Sequence, residues 1–216
     1  MKKLSPSVLD VPKENLVDYI NTLVKWGVHN VHYDVMDNIF VPNHALKLDE
    51  IKKVHEQCAK HVMDIHLMVS EPFKYYEMYK GIGDILTFHY EAFNNNELNE
   101  LIATAKKDNV KLGLAIKPNT KVKEILPYIK SCALILIMSV EPGFGGQKFI
   151  ETSLDKVKEI TDFIHKNNLN ETIIQIDGGV KDINIKSCFE SGVSLAVVGS
   201  YLVKNFSEET VKKLIA

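Results

Sequence analysis

No arginine occurs anywhere in this 216-residue chain; all 26 basic residues are lysines. Any anion the protein holds is therefore held without a bidentate guanidinium fork, which leaves backbone N–H groups and lysine ammonium groups. Cysteine is scarce too. Cys58, Cys132 and Cys188 are odd in number and far apart, so they read as free thiols in a reducing compartment rather than as a disulfide framework. The longest apolar run, Cys132 to Met138, is far too short to span a bilayer. The lysines of Met1-Lys2-Lys3 have no apolar stretch behind them, which argues against a secretory signal; a cytoplasmic protein with no membrane partner is expected. An excess of charge of one sign is also missing. A net charge of −2 removes the electrostatic case for nucleic acid.

What is present is a regular alternation. Short apolar runs near Lys3–Leu9, Asn30–Met36, Val62–Val69, Ile85–His89, Lys111–Ile116, Ala133–Val140, Thr172–Asp177 and Leu195–Gly199 read as strands. Amphipathic stretches such as Lys13–Trp26, Leu98–Asn109 and Thr152–Asn167 lie between them and read as helices. Asp10-Val11-Pro12 has the look of a helix start, as does Ser207-Glu208-Glu209, whereas Asn94-Asn95-Asn96 reads as a loop. Strands such as Leu134-Ile135-Leu136-Ile137 are apolar on both faces, which suits a parallel sheet covered by helices. Eight evenly spaced strand–helix units predict an α/β fold, a (β/α)8 TIM barrel, over an open doubly wound sheet. With no linker or low-complexity segment, residues 1–216 are expected to form a single domain.

Polar residues interrupt this pattern in few places. Along Val31-His32-Tyr33-Asp34-Val35-Met36-Asp37, alternation puts His32, Asp34 and Met36 on one face. A carboxylate on a buried face costs several kcal/mol unless something compensates its charge, and a divalent metal held by both side chains is one remedy. In a barrel the site gathers at the C-terminal ends of the strands. There the third strand contributes His66 and Met68 on one face, and the seventh ends on Asp177. His32, Asp34, His66 and Asp177 form a mixed nitrogen and oxygen set that suits one divalent ion: Zn, Fe, Mn or Co. Asp64, deeper on the His66 face, reads as a supporting residue. His29, His44, His55, His61 and His165 fall in loops or helices and carry no functional reading. Glycine-bearing loops follow the last three strands: Glu141-Pro142-Gly143-Phe144-Gly145-Gly146-Gln147, Gly178-Gly179 and Gly199-Ser200. Glycine lets backbone N–H groups approach an anion, so these loops are the expected phosphate grip.

These segments, with Ser5-Pro6-Ser7, Phe40-Val41-Pro42-Asn43, Phe88-His89-Tyr90-Glu91-Ala92 and Met138-Ser139-Val140, resemble those of the ribulose-phosphate 3-epimerase family, in order and over nearly the whole chain. The resemblance implies that His32, Asp34, His66 and Asp177 ligate the metal, and that Asp34 and Asp177 exchange protons on opposite faces of the substrate. It implies that Ser7 and His66 touch sugar oxygens and that Met36, Met68 and Met138 pack beneath the reacting carbons. Gly143, Phe144, Gly145, Gly146, Gly178, Gly179, Gly199 and Ser200 would surround the phosphate. The implied substrate is a phosphorylated ketose, D-ribulose 5-phosphate and D-xylulose 5-phosphate being interconverted in the pentose phosphate pathway, with a ketohexose 6-phosphate such as D-allulose 6-phosphate as the alternative. A non-catalytic phosphosugar-binding barrel and a Schiff-base aldolase using Lys117 are the competing classes. A homo-oligomer, dimer or hexamer, is a family-based expectation. Three positions depart from the family pattern. Asn38 stands where a glycine is usual, and asparagine tolerates a left-handed backbone; Lys117 replaces an asparagine, and Tyr201 a small residue.

Overall fold

The computed structural model describes residues 2–216. Eight parallel strands, β1 (Lys3–Pro6), β2 (Asn30–Met36), β3 (Val62–Met68), β4 (Ile85–His89), β5 (Lys111–Ile116), β6 (Leu134–Met138), β7 (Ile173–Asp177) and β8 (Leu195–Val198), form one sheet in the order β1-β8-β7-β6-β5-β4-β3-β2. The two ends of that order meet. Ser7 bridges His32 in parallel, and the Val8 N–H donates to the His32 carbonyl at 3.2 Å, closing the barrel. The expected strands are all there, most of them a residue or more shorter than the apolar runs that announced them.

Helices α1 (Leu16–Lys25), α2 (Leu48–Gln57), α3 (Pro72–Tyr79), α4 (Asn95–Asp108), α5 (Ser153–Lys166), α6 (Ile185–Glu190), α7 (Ser200–Lys204) and α8 (Glu208–Ile215) surround it. In α1 the buried residues Leu16, Tyr19, Ile20 and Leu23 recur at helical spacing and pack in the same layer as Val31, Tyr33 and Val35 of β2. Ile20 and Leu23 are fully buried; truncating either to alanine costs about 2–5 kcal/mol.

Three expectations need correction. Asp10 does not start a helix: a 3-10 turn at Lys13–Asn15 comes first, and α1 begins only at Leu16. Asn94 does more than form a loop, because its side chain accepts from the N–H groups of Asn96 and Glu97 while the Glu97 carboxylate accepts from its own N–H, so α4 starts at Asn95. Nor does every unit carry an α-helix. Between β5 and β6 lie only two 3-10 turns, Val122–Glu124 and Ile129–Ser131, since Pro118 and Pro127 remove the N–H groups that a continuous helix there would use.

The barrel interior is divided. On the β5, β6 and β8 side it is filled by Ala115, Leu134, Leu136, Met138 and Leu195. On the β2, β3 and β4 side the inward residues are His32, Asp34, Asp64, His66, Thr87 and His89, all buried. Asp64 anchors this polar half: it faces His32 Nδ1 at 2.7 Å and accepts from Gln175 Nε2 at 2.6 Å and Thr87 Oγ1 at 3.1 Å. Gly113, paired with Thr87 on the neighbouring strand β5, makes this possible, because a Cβ there would collide with the Thr87 hydroxyl. A residue read from sequence as supporting is thus the hub of the buried network.

Candidate active site

At the C-terminal ends of the strands a cleft encloses about 600 Å³, its open mouth included. It is lined by Ser7, Asp34, Met36, Met68, Met138, Asp177 and by Gly143, Phe144, Gly145, Gly146, Gly178, Gly179, Gly199 and Ser200. His32 and His66 are fully buried and do not line it. Their ring nitrogens face the cleft carboxylates from behind.

His32 Nε2 lies 3.3 Å from His66 Nδ1, and Asp34 Oδ1 lies 3.1 Å from His66 Nδ1 and 3.5 Å from His32 Nε2. Asp177 Oδ2 is 3.9 Å from the first imidazole and 4.0 Å from the second. One ligand atom from each of the four residues falls within 4.8 Å of every other. Atoms about 2.1 Å from a shared ion sit roughly 3–4 Å apart, so the set fits a divalent cation.

The hydrogen-bond chemistry makes the same demand. Asp64 is held ionised: burial would raise its pKa, but His32 and its other partners lower it. An ionised carboxylate only accepts, so His32 Nδ1 carries hydrogen and Nε2 is the atom turned to the cluster. Ligand-capable atoms of four side chains then converge on one point. A proton on His32 supplies the missing positive charge: burial opposes it, but Asp64 and Asp34 hold the imidazole pKa well above its usual value. A divalent ion would take over that role.

The two carboxylates differ. Burial would raise Asp34, yet the charge and hydrogen bond of His32 foremost hold it well below the usual carboxylate range. Ser7 Oγ donates to its other oxygen at 2.8 Å. Asp177 goes the other way: burial outweighs the pull of His32, the charge of Asp34 adds to it, and the pKa is pushed up to about 6.

The loops are fastened to one another by residues the sequence reading did not single out. Asp37 accepts from the N–H groups of Ile39, Phe40 and Ser70, tying the β2 loop to the β3 loop. Asn43 Nδ2 donates to the Gly143 carbonyl at 2.7 Å, and Gln147 Nε2 donates to the carbonyls of Glu141 and Phe144. Ser139 Oγ donates to the carbonyls of Asp177 and Gly178, pinning the end of β7. Gly178 has φ 117° and its position leaves no room for a Cβ against Val140; Gly179, φ 65°, is equally hemmed in by the backbone of Gln147 and Phe149. These two glycines therefore let loops cross closely, whatever else they bind. Lys181 is the one lysine among the lining residues.

His89 and Glu91 make contacts that their motif in the sequence does not announce. His89 Nε2 lies 2.9 Å from His66 Nε2, and its Nδ1 lies 3.2 Å from Glu91 Oε2. Burial pushes the His89 pKa down to about 4. The signal was available in period-two alternation, since His89 shares the inward face of β4 with Thr87. Of the three departures, Asn38 takes the left-handed backbone, φ 61°. Lys117 is not among the residues lining the cleft; its ammonium sits 4.1 Å from the Phe40 ring centroid. Tyr201 lies in α7, one residue beyond the cleft wall at Ser200.

Residues 3–203 match the model of the ribulose-phosphate 3 epimerase family. The chain is 35% identical over 204 residues to the ribulose-phosphate 3-epimerase of Bacillus subtilis, spanning 93% of this chain and 91% of that one. It is 34% identical over 214 residues to the enzyme of that name from Schizosaccharomyces pombe, spanning 97% and 90%. Among solved structures, a mutant tryptophan synthase α-subunit from Pyrococcus furiosus superposes with a TM-score of 0.73 at 15% identity, over 98% of this chain and 97% of that one, a likeness of fold alone.

Proposed function

Because this chain belongs to the ribulose-phosphate 3-epimerase family, we propose that it inverts C3 of a ketose phosphate, interconverting D-ribulose 5-phosphate and D-xylulose 5-phosphate. The observation that carries this reading is the pair of cleft carboxylates, Asp34 and Asp177, facing two buried imidazoles at the floor of a glycine-lined cleft.

Inverting a carbon beside a carbonyl needs a base on one face, an acid on the other and stabilisation of the enediolate between them. Asp34 and Asp177 serve as the two proton carriers. In the metal-free protein their pKa values are displaced in opposite directions, Asp34 down and Asp177 up, so the two carboxyls are unequal proton carriers. His32, Asp34, His66 and Asp177 would hold one divalent ion. That ion, when bound, supplies Lewis-acid stabilisation of the negative charge on the substrate oxygens. Ser7 fixes the Asp34 carboxylate through its hydroxyl. Met36, Met68 and Met138 give the planar intermediate an apolar floor that offers no competing proton. Beyond the carboxylates, the loops at Gly143–Gly146, Gly178-Gly179 and Gly199-Ser200 would take the phosphate, with Lys181 adding the positive charge that no arginine supplies. Residues 1–216 would act as one catalytic domain.

Initial rates on D-ribulose 5-phosphate and D-allulose 6-phosphate test the substrate, with the pentulose expected to be turned over faster; the reverse order moves the assignment to the hexulose. Asp34→Asn and Asp177→Asn are each expected to lower kcat by at least 10²–10⁴-fold, the worth of a positioned acid or base. Near-normal kcat in Asp177→Asn with metal retained contradicts the two-carboxylate mechanism.

A further inference from the structure

Glu91 sits behind the metal-binding cluster, separated from its member His66 by one residue, His89. Its Oε1 accepts from the Lys117 N–H at 2.8 Å and from the Thr120 hydroxyl, and its Oε2 faces His89 Nδ1 at 3.2 Å. An ionised carboxylate has no hydrogen to give, so the hydrogen in the last contact belongs to His89 Nδ1. The other ring nitrogen of a neutral imidazole is an acceptor. His89 Nε2 is 2.9 Å from His66 Nε2, so the hydrogen there belongs to His66. That leaves His66 Nδ1 bare, and Nδ1 is the atom 3.1 Å from Asp34 and 3.3 Å from His32 Nε2.

We propose that Glu91 and His89 are positioning residues that fix the tautomer of His66, so that its Nδ1 lone pair faces the metal-binding cluster. The inference rests on the reading of that cluster as a metal site. The two histidines of the cluster are then oriented alike, His32 by Asp64 directly and His66 by Glu91 through one intervening ring. Carboxylates placed behind ligand histidines set both ring orientation and ligand basicity. Thr87, the register partner of His66, bonds Asp64 instead, so the two carboxylate arms stay separate.

Glu91→Gln separates this role from simple packing. The Lys117 N–H and Thr120 hydroxyl still require an acceptor, which keeps the amide oxygen on their side and turns its NH2 toward His89 Nδ1. His89 must then accept at Nδ1 and donate from Nε2, and His66 is forced to carry its hydrogen on Nδ1. Histidine ¹⁵N spectra of the metal-free wild-type protein are expected to show His66 protonated at Nε2 and bare at Nδ1, and Glu91→Gln the reverse. Affinity for Co²⁺, measured by chelator competition, is expected to fall about 10–100-fold in Glu91→Gln. It is expected to stay near the wild-type value in His89→Gln, whose amide oxygen can accept directly from His66. A wild-type His66 protonated at Nδ1 overturns the proposal, as does a Glu91→Gln protein that folds and binds Co²⁺ as tightly as wild type. If Glu91→Gln does not fold, the wild-type tautomer and the His89→Gln affinity still decide it. If the wild-type protein takes up no Co²⁺, the metal reading falls, and the tautomer spectra still decide the relay.

Discussion

Glu91 keeps its charge in a setting that opposes charge. Burial would raise its pKa, but His89, the Thr120 hydroxyl and the Lys117 N–H together hold it down to about 2, against an ordinary value of 4.5. The unfolded chain therefore takes up this proton first as pH falls. The stabilisation, on the order of 2–3 kcal/mol, is fully present above about pH 4.5 and is lost as pH drops toward 2. Urea unfolding of wild type and Glu91→Gln across that range is expected to give a stability gap that is constant near neutral pH and narrows below about pH 4.5. A gap that does not vary with pH contradicts this account of Glu91. Single residues also mark how far sequence alone could reach. His32, Asp34, His66 and Asp177 were legible because alternation put polar groups where a buried face expects apolar ones. Glu91 was not, because a glutamate just past a strand looks like any solvated loop residue until Thr120 and Lys117 fold back on it.

Among the elements, the segment between β5 and β6 is held from outside. Lys156 of α5 donates to the carbonyls of Lys117, Pro118 and Thr120 at 2.5–3.1 Å, taking the place of the helix that prolines deny this segment. Its ammonium is partly desolvated, and burial lowers its pKa. This clamp secures the same loop that grips Glu91, so α5 is mechanically linked to the back of the site. Lys156→Met is expected to cost about 2 kcal/mol, in the range of bonds made by charged groups, and to speed amide exchange at Lys117 and Thr120. Unchanged exchange there contradicts the clamp. The helix itself was plain in the periodicity of Thr152–Asn167, but nothing in that periodicity separates Lys156 from its solvated neighbours. The missing helix after β5 shows the converse: an even spacing of strands fixes the number of crossovers and leaves their secondary structure open.

For the molecule as a whole, the barrel divides its interior into an apolar half and a polar half, and the cleft spans both, with Asp34, Met36 and Met68 on one side and Met138, Asp177 and the glycine loops on the other. The architecture was readable because a parallel sheet needs two-sided apolar strands with amphipathic stretches between them, and this chain repeats that unit eight times. The ties through Asp37, Asn43 and Ser139 were not readable, since they join residues 33, 100 and 38 positions apart in sequence. What the whole assembly is proposed to do is exchange one carbon-bound hydrogen with groups in contact with water. Turnover of D-ribulose 5-phosphate in D2O by the metal-loaded enzyme tests this most directly, by following deuterium in the D-xylulose 5-phosphate formed. Deuterium is expected at C3 of the product and at no other carbon. Product that keeps its original hydrogen at C3, or a protein that forms no epimer, would contradict it.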